Sequence, residues 1–600
     1  MPDENVLIPP SSDVYSRIAL ELFDRSRFAF APYYNTLQRR YDMYRGTYKT
    51  RGQPGWNNIN VPLLFSVVQS DVARKAQVLF GGSPLLAFLP TGPEDAEKAA
   101  RVERLIDIQL AQARTYEKAT RFLINADLFG VSVWKYAWDG VRISPDWEFV
   151  DQTNFFPFPG MQDIALMPGV VHRFYKEYDD CVRDSEPSEE GTAPIYDAGA
   201  VRDLGGSAPH LPDDEAARKH DPATGGGETY MSRVSFSKLV EILEYWGRVP
   251  REYALIGADG KPTTEVIITV ADRHVLLRAV ANPHGAKPFG KYAPFEDPYF
   301  FYAPGKVEIG EKLQAAVNRL ANTRLDALDL FISPPWLYNE NSGLNPRRLV
   351  TGPGACIGVN GSVAETELKQ LVPDLRGLQG AFVEGEQLWR WMQQSTGIIE
   401  DIAQGMGSSQ SDRQTAREFV GRQEAVSTRL ALESRLAEVQ WLEPLGNAFA
   451  MMDRRFLPLD KQIKLIGASA VWDPVAERFV PPEPLALGAT DLDADYDVKA
   501  TGATRTLGKQ AKVMNLQAAM GVLAVNPQIA ATVNWRLFVR QFLALLDVYN
   551  ADQIMNTEPQ MMEALAIGQL LNAKAGPMAA PAPVVENALP PLGAQNGSSS

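Results

Sequence analysis

The stretch Gly305-Lys-Val-Glu-Ile-Gly-Glu-Lys-Leu-Gln-Ala-Ala-Val-Asn-Arg-Leu-Ala-Asn-Thr-Arg-Leu-Asp-Ala-Leu-Asp-Leu-Phe331 decides how the rest of the chain is read. Leu313, Val317, Leu320, Leu328 and Phe331 share one face of a helix, while Glu311, Asn318, Asn322 and Asp326 fall mostly elsewhere. Pro334-Pro335 ends that helix. A small Gly-rich, strand-like module follows from Trp336 to Pro373, then a helix from Leu375 to Thr396 and a polar Gly-rich loop from Gly397 to Ser411. Ser411-Asp-Arg-Gln414 supplies a capping box for a very long helix reaching Met452, with Phe419, Val426, Leu430, Leu436 and Val439 on its apolar face. Only Pro444 interrupts it, and a kink is expected there.

Towards the N-terminus, Tyr34, Leu37, Tyr41, Tyr44 and Tyr48 make one stripe on a helix from Ala31 to Lys49, with Arg39, Arg40 and Arg45 on a solvated face. An apolar segment runs from Val61 to Phe80. One long amphipathic helix then opens near Pro93-Glu94-Asp95, carries Val102, Ile106, Ala113, Tyr116 and Leu123 on one face, and stops at Gly130. Val131 to Trp138, Lys238 to Gly247 and Glu265 to Val280 read as strands. Residues 179–231 are rich in Gly, Pro, Asp, Glu and Ala and read as a mobile insertion without a core of its own. Short strands beyond Phe456, helices over 508–575 and a Pro, Ala, Gly and Ser-rich tail over 576–600, read as disordered, complete an α+β, mainly helical chain.

With 600 residues the chain is too long for a single hydrophobic core, so several subdomains are expected. Its formal net charge of -14 repels a phosphate backbone, which argues against a general nucleic-acid binder but suits a protein past which DNA must slide. Cys181 and Cys356 are far apart and lack zinc or redox spacing, so a reducing compartment is expected. The acidic Met1-Pro-Asp-Glu-Asn5 start is unlike a signal peptide, and no apolar run long enough for a membrane span occurs, so the chain reads as soluble and cytoplasmic at synthesis.

Catalytic patterns fail on spacing. Gly502-Ala-Thr-Arg-Thr-Leu-Gly-Lys-Gln510 separates its glycines by one residue too many for a phosphate loop and places Gln510 where Ser or Thr must reach magnesium. Gly352-Pro-Gly-Ala-Cys-Ile-Gly358 has the wrong spacing for a dinucleotide loop. His172, His210, His220, His274 and His284 show no ligand spacing, and Asp491, Asp493, Asp495 and Asp497 are followed by Tyr496 and Gly502 where a calcium loop needs glycine and glutamate. No enzyme, cofactor or metal is therefore expected.

The order of segments resembles that of bacteriophage portal proteins of the short-tailed phage type, from Trp56-Asn-Asn-Ile-Asn-Val-Pro62 to the helices near Leu545. Gly130-Val-Ser-Val-Trp-Lys-Tyr136 is similar to the family's wing. Phe300-Phe-Tyr-Ala-Pro-Gly-Lys-Val-Glu-Ile-Gly-Glu311, leading into Gln314, Asn318, Asn322 and Asp326, resembles the entry to its first stem helix. The resemblance implies a portal fold with wing (1–304, with 179–231 an insertion lacking a recognised counterpart), stem helix 1 (305–332), clip (333–373) and stem helix 2 (374–396). It further implies a channel or tunnel loop (397–411), a long spine helix (412–455), a return to the wing through small β modules (456–507), a crown (508–575) and the tail. It also implies a homododecamer ring at a capsid vertex of the virion, assembled in the host cytoplasm, through which double-stranded DNA is packaged and ejected irrespective of sequence. Partners would be the major capsid protein, scaffold, the terminase large subunit, and head-completion, adaptor and tail proteins, with no membrane. Two helices flanking a compact module, then a polar loop and a very long helix, also suit a rigid tube with an adjustable constriction.

On that reading Gln404, Gly405, Gly407, Ser408, Ser409 and Gln410 form the DNA channel loop, flexible at its glycines and offering neutral hydrogen bonds to phosphates. A plain connector is the alternative. Glu311 and Asp326 are the acidic channel-lining candidates, and Trp336, Arg347 and Arg348 the clip contacts for terminase, although Trp336 serves equally as internal packing. An enzyme with a dispersed active site, or another virion component such as a scaffold or tail-tube subunit, are the competing classes.

Overall fold

The structure is a computed structural model of the chain, and it describes residues 12–47, 56–81, 84–92, 95–187, 194–204, 239–257, 260–332, 336–338, 368–370, 378–397, 428–457, 471–473, 478–480 and 496–502. The chain divides after Leu507 into two units, residues 1–507 and 508–600. Residues 508–600, which hold the expected crown and tail, lie outside the described residues, as do Gln404, Gly405, Gly407, Ser408, Ser409, Gln410, Arg347, Arg348, Cys356 and Asp491 to Asp495.

The helices are α1 (Ser12–Ala29), α2 (Ala31–Arg45), α3 (Leu63–Leu79), α4 (Ala96–Gln112), α5 (Thr115–Phe129), α6 (Tyr178–Ser185) and α7 (Ala198–Asp203). They continue as α8 (Lys306–Ile332), α9 (Leu378–Thr396), α10 (428–437) and α11 (Glu443–Phe456). The strands are β1 (Leu86–Pro90), β2 (Ser132–Asp139), β3 (Ser144–Val150), β4 (Phe155–Pro157), β5 (Gly169–Glu177), β6 (Leu239–Arg248), β7 (Leu255–Ile256) and β8 (Pro262–Thr263). Then come β9 (Glu265–Ala271), β10 (Val275–Ala281), β11 (Phe289–Tyr292), β12 (Trp336–Tyr338), β13 (Leu368–Gln370), β14 (Val471–Asp473), β15 (Arg478–Val480) and β16 (Tyr496–Ala500). Helix exceeds strand among the described residues, which makes the chain α+β and mainly helical.

A five-stranded antiparallel sheet in the order β10-β9-β6-β5-β4 buries both faces. Val171, Tyr245, Ile268 and Phe156 pack on Tyr15, Ala19, Leu22 and Phe23 of α1, whereas their alternate neighbours Val170, Trp246 and Ile267 join Val131 and Val133 beside the three-stranded sheet β11-β2-β3. Alternate side chains pointing to opposite faces produce this division. The largest core gathers α2 to α5, α8 to α11 and the β1-β16 ribbon around the buried Trp147, Phe122 and Trp441.

Four expectations are corrected. The helix expected from Pro93 to Gly130 is two helices, broken where Arg114 turns left-handed at φ 52, without a Gly or Pro to announce it, and Tyr116 is exposed. The strand expected from Glu265 to Val280 is a hairpin turned at Asp272-Arg273, both at positive φ. Residues 179–187 and 194–204 do build a core: Cys181, Tyr196, Val201 and Leu204 pack on Val240, Ile242 and Leu277. Lastly, α2 has no wholly solvated basic face, since Arg40 is buried and pairs with Glu308 at 2.9 Å.

At Pro444 the helix adopts a π-helical turn over Glu438–Leu442 and continues as α11. Proline lacks an N–H and its ring collides with the carbonyl four residues earlier, and the wider turn accommodates both.

Candidate functional site

Two constructions on α8 draw together the residues that matter, and the first inverts the expected faces of that helix. Gln314, Asn318, Asn322 and Asp326 are its buried side chains, together with Lys306, Val307 and Gly310. They grip residues 57–64 by main chain. Asp326 Oδ1 accepts from the Asn57 N–H at 2.8 Å, Asn322 Oδ1 from Ile59 N–H at 2.6 Å, and Asn318 Oδ1 from Val61 N–H at 3.1 Å. In return Asn322 Nδ2 donates to the Ile59 carbonyl at 3.0 Å and Gln314 Nε2 to that of Val61 at 2.5 Å.

The spacing has a simple origin. Four helical residues advance about 6 Å and two extended residues about 6.6 Å, so a polar residue every fourth position on α8 meets every second residue of an antiparallel extended segment. The stripe drifts about 40° per step, so the segment crosses α8 obliquely.

The acidic channel-lining candidates are accordingly placed elsewhere than expected. Asp326 is buried against Asn57, and Glu311 pairs with Arg39 of α2 with little of its side chain exposed. Asp326 is thus turned away from solvent, and Glu311 is engaged in an ion pair. Trp336 sits in β12 opposite Gln370 of β13, so the expected clip module does contain a strand pair.

With its polar stripe turned inward, α8 leaves apolar residues outside. Leu320 approaches Gly385 of α9 and Arg324 lies 3.8 Å over the Phe382 ring, which fixes the α8-α9 hairpin. Beyond that contact Leu328, Leu330, Phe331 and Ile332 are exposed, Ile332 to 76%, and on α9 Phe382, Val383 and Trp391 are exposed as well.

The second construction is a buried charge cluster that the sequence reading missed. Lys75 Nζ lies 2.7 Å from each of Asp71 Oδ2, Asp127 Oδ1 and Glu433 Oε2, and Lys306 Nζ contacts Asp71 and, at 2.9 Å, Glu433. Lys75 and Asp127 are wholly buried and the other three nearly so. Their places in sequence are the clue: Asp71 and Lys75 share one face of the otherwise apolar α3, Asp127 interrupts Leu123 to Phe129, and Lys306 stands between Gly305 and Val307. Gly130 and Gly305 let α5 and α8 meet here, for a Cβ on Gly305 would lie 2.7 Å from the Gly130 nitrogen.

Burial alone would raise the Asp71 carboxyl, but Lys306 and Lys75 outweigh it and hold it below the usual range. Asp127 goes the other way, raised to about 7 by burial with Asp71 adding to the rise against Lys75. Burial would lower the Lys75 ammonium, yet Asp127, Asp71 and Glu433 raise it well above its ordinary value. The three carboxylates stand close enough to hold a metal ion, since their oxygens lie within 4.8 Å of one another. The two ammonium groups already supply cationic charge to the same oxygens, so the donor set fits internal ion pairing better than a metal.

The two histidines with large shifts are neutral at neutral pH. His172 falls to about 3 through burial and then Lys135, and His284 to about 4 through burial and then Arg455. No helix among the described residues is long and apolar enough to cross a membrane. Compared with models of known protein families and with curated protein sequences, the chain finds no match in either.

Proposed function

We propose that this chain is a ring-forming structural subunit of portal type, whose copies surround a channel for viral DNA at one capsid vertex and dock terminase and the head-completion and tail proteins there. The observation that supports it is the α8-α9 hairpin, which hides amides and presents Leu328, Leu330, Phe331, Ile332, Phe382 and Val383 to the outside. Exposed apolar surface of this kind is what a partner surface offers, and a heterologous contact repeated by rotation closes into a ring. The formal charge of -14 suits a wall past which DNA slides instead of one to which it adheres.

In this reading residues 397–411 form the constriction and residues 333–373 meet the packaging motor, with capsid protein and scaffold around the outer parts of the ring. The test is the assembly state of the purified full-length chain. Closed rings with a central hole in negative-stain images, and a matching mass in light scattering, are the expected result. A monomer of 66.2 kDa at every concentration, or nucleotide hydrolysis by the chain alone, would overturn the reading.

A further inference from the structure

We infer that the buried cluster of Asp71, Lys75, Asp127, Lys306 and Glu433 is a binding site for one proton, held between the Asp127 and Asp71 carboxyls, and that its release loosens the attachment of α10. This goes beyond the ring-subunit reading and is independent of it. The argument begins with charge. Among the described residues three carboxylates face two ammonium groups, so this set carries one unbalanced negative charge unless a proton is bound. An unbalanced charge out of contact with water is costly, and a carboxyl group removes it most simply by protonation.

The geometry says where the proton sits. Oδ1 of Asp127 is occupied by Lys75, while its Oδ2, wholly buried, meets no donor among the described residues. Asp71, whose carboxyl oxygen lies within 4.8 Å of the Asp127 carboxyl, is the neighbour to which that proton would be donated. Among the described residues, four helices supply the charged groups. Asp71 and Lys75 come from α3, Asp127 from α5, Lys306 from α8 and Glu433 from α10, and β11 adds the neutral Tyr292, whose hydroxyl donates to the Glu433 carbonyl at 3.2 Å. Burial keeps that phenol protonated.

Without the proton, Asp127 and Asp71 repel and the cluster gains from admitting water. Helix α10 carries the cluster nearest to exposed surface, because Thr428, Arg429 and Leu432, among its first described residues, are exposed while Glu433 and Ser434 are buried. The cluster thereby couples acidity to the grip on the helix that would begin the described part of the spine.

The test uses the full-length chain carrying Asp453→Asn, which removes a second buried carboxyl of similar affinity. Infrared spectra should show a buried protonated carboxyl at about pH 6 that is lost by about pH 8, and Asp127→Asn, the isostere of the protonated form, should abolish the band. Amide exchange across residues 428–437, corrected for intrinsic rates, should rise about tenfold between those pH values in the parent and stay level in Asp127→Asn. A missing band at about pH 6, a band indifferent to Asp127→Asn, or pH-independent exchange in α10 would each overturn the inference. Should Asp127→Asn fail to fold, the infrared titration of the Asp453→Asn chain decides alone.

Discussion

Asn322 and Ile59 are paired as two strands would be: the side-chain amide of Asn322 accepts from the Ile59 N–H at 2.6 Å and donates to its carbonyl at 3.0 Å. A helix side chain thus takes the role of a β-ladder partner for a segment that has no strand partner among the described residues. Asn322→Leu should leave both groups of Ile59 without that partner and cost about 1–3 kcal/mol. Urea unfolding measures the loss, and protease sensitivity over residues 56–62 should rise with it. An unchanged midpoint would mean that water replaces the amide at no cost.

Ile332 and Val383 are among the most exposed apolar residues of the α8-α9 hairpin. Replacing both with Glu should disperse assemblies while changing the stability of the subunit by no more than about 0.5 kcal/mol, as surface substitutions do. Light scattering and thermal unfolding on the same samples separate the two effects. Intact assemblies would remove this face from the subunit contact.

Asp453 of α11 is buried and accepts from Gln109 Nε2 at 2.8 Å, and burial raises its carboxyl to about 7 with Gln109 opposing. A raised folded-state value contributes stability that is full below the ordinary carboxyl range and is lost as pH rises through about 7. Asp453→Asn should therefore be more stable than the parent above neutrality, by up to about 4 kcal/mol. Melting temperatures of the two chains from about pH 4 to about pH 8 provide the check, and a gap that did not widen with pH up to about 7 would contradict it.

Gly130 ends α5 at φ 87, and a Cβ there would stand 1.8 Å from the Ala303 carbonyl oxygen. Backbone cannot retreat as a side-chain tip can, so Gly130→Ala should cost more than about 3 kcal/mol and leave the chain largely insoluble. Soluble yield and the melting temperature of any folded fraction test this.

Periodic patterns carried the local structure. Apolar recurrence in Ala31 to Lys49 and Val61 to Phe80, and the β-branched run after Glu265, announce helix, helix and strand, because these depend on which face of a regular element avoids water. Turns without Gly or Pro stayed hidden. Arg114 and Asp272-Arg273 adopt left-handed backbone because packing on either side demands a reversal, a requirement absent from the local residues.

The sequence by itself determined that Lys306 to Ile332 is a helix with apolar residues on one side and amides on another, since both follow from period alone. Which side faces inward was decided only by tertiary structure. Residues 57–64 bring unpaired main-chain groups against α8, and burying those beside leucine would cost more than exposing Leu328 and Phe331, so the amides turn inward. The same holds for Lys75 and its partners, five charges scattered from position 71 to 433 whose burial is tolerable only because the fold makes them one another's counterions.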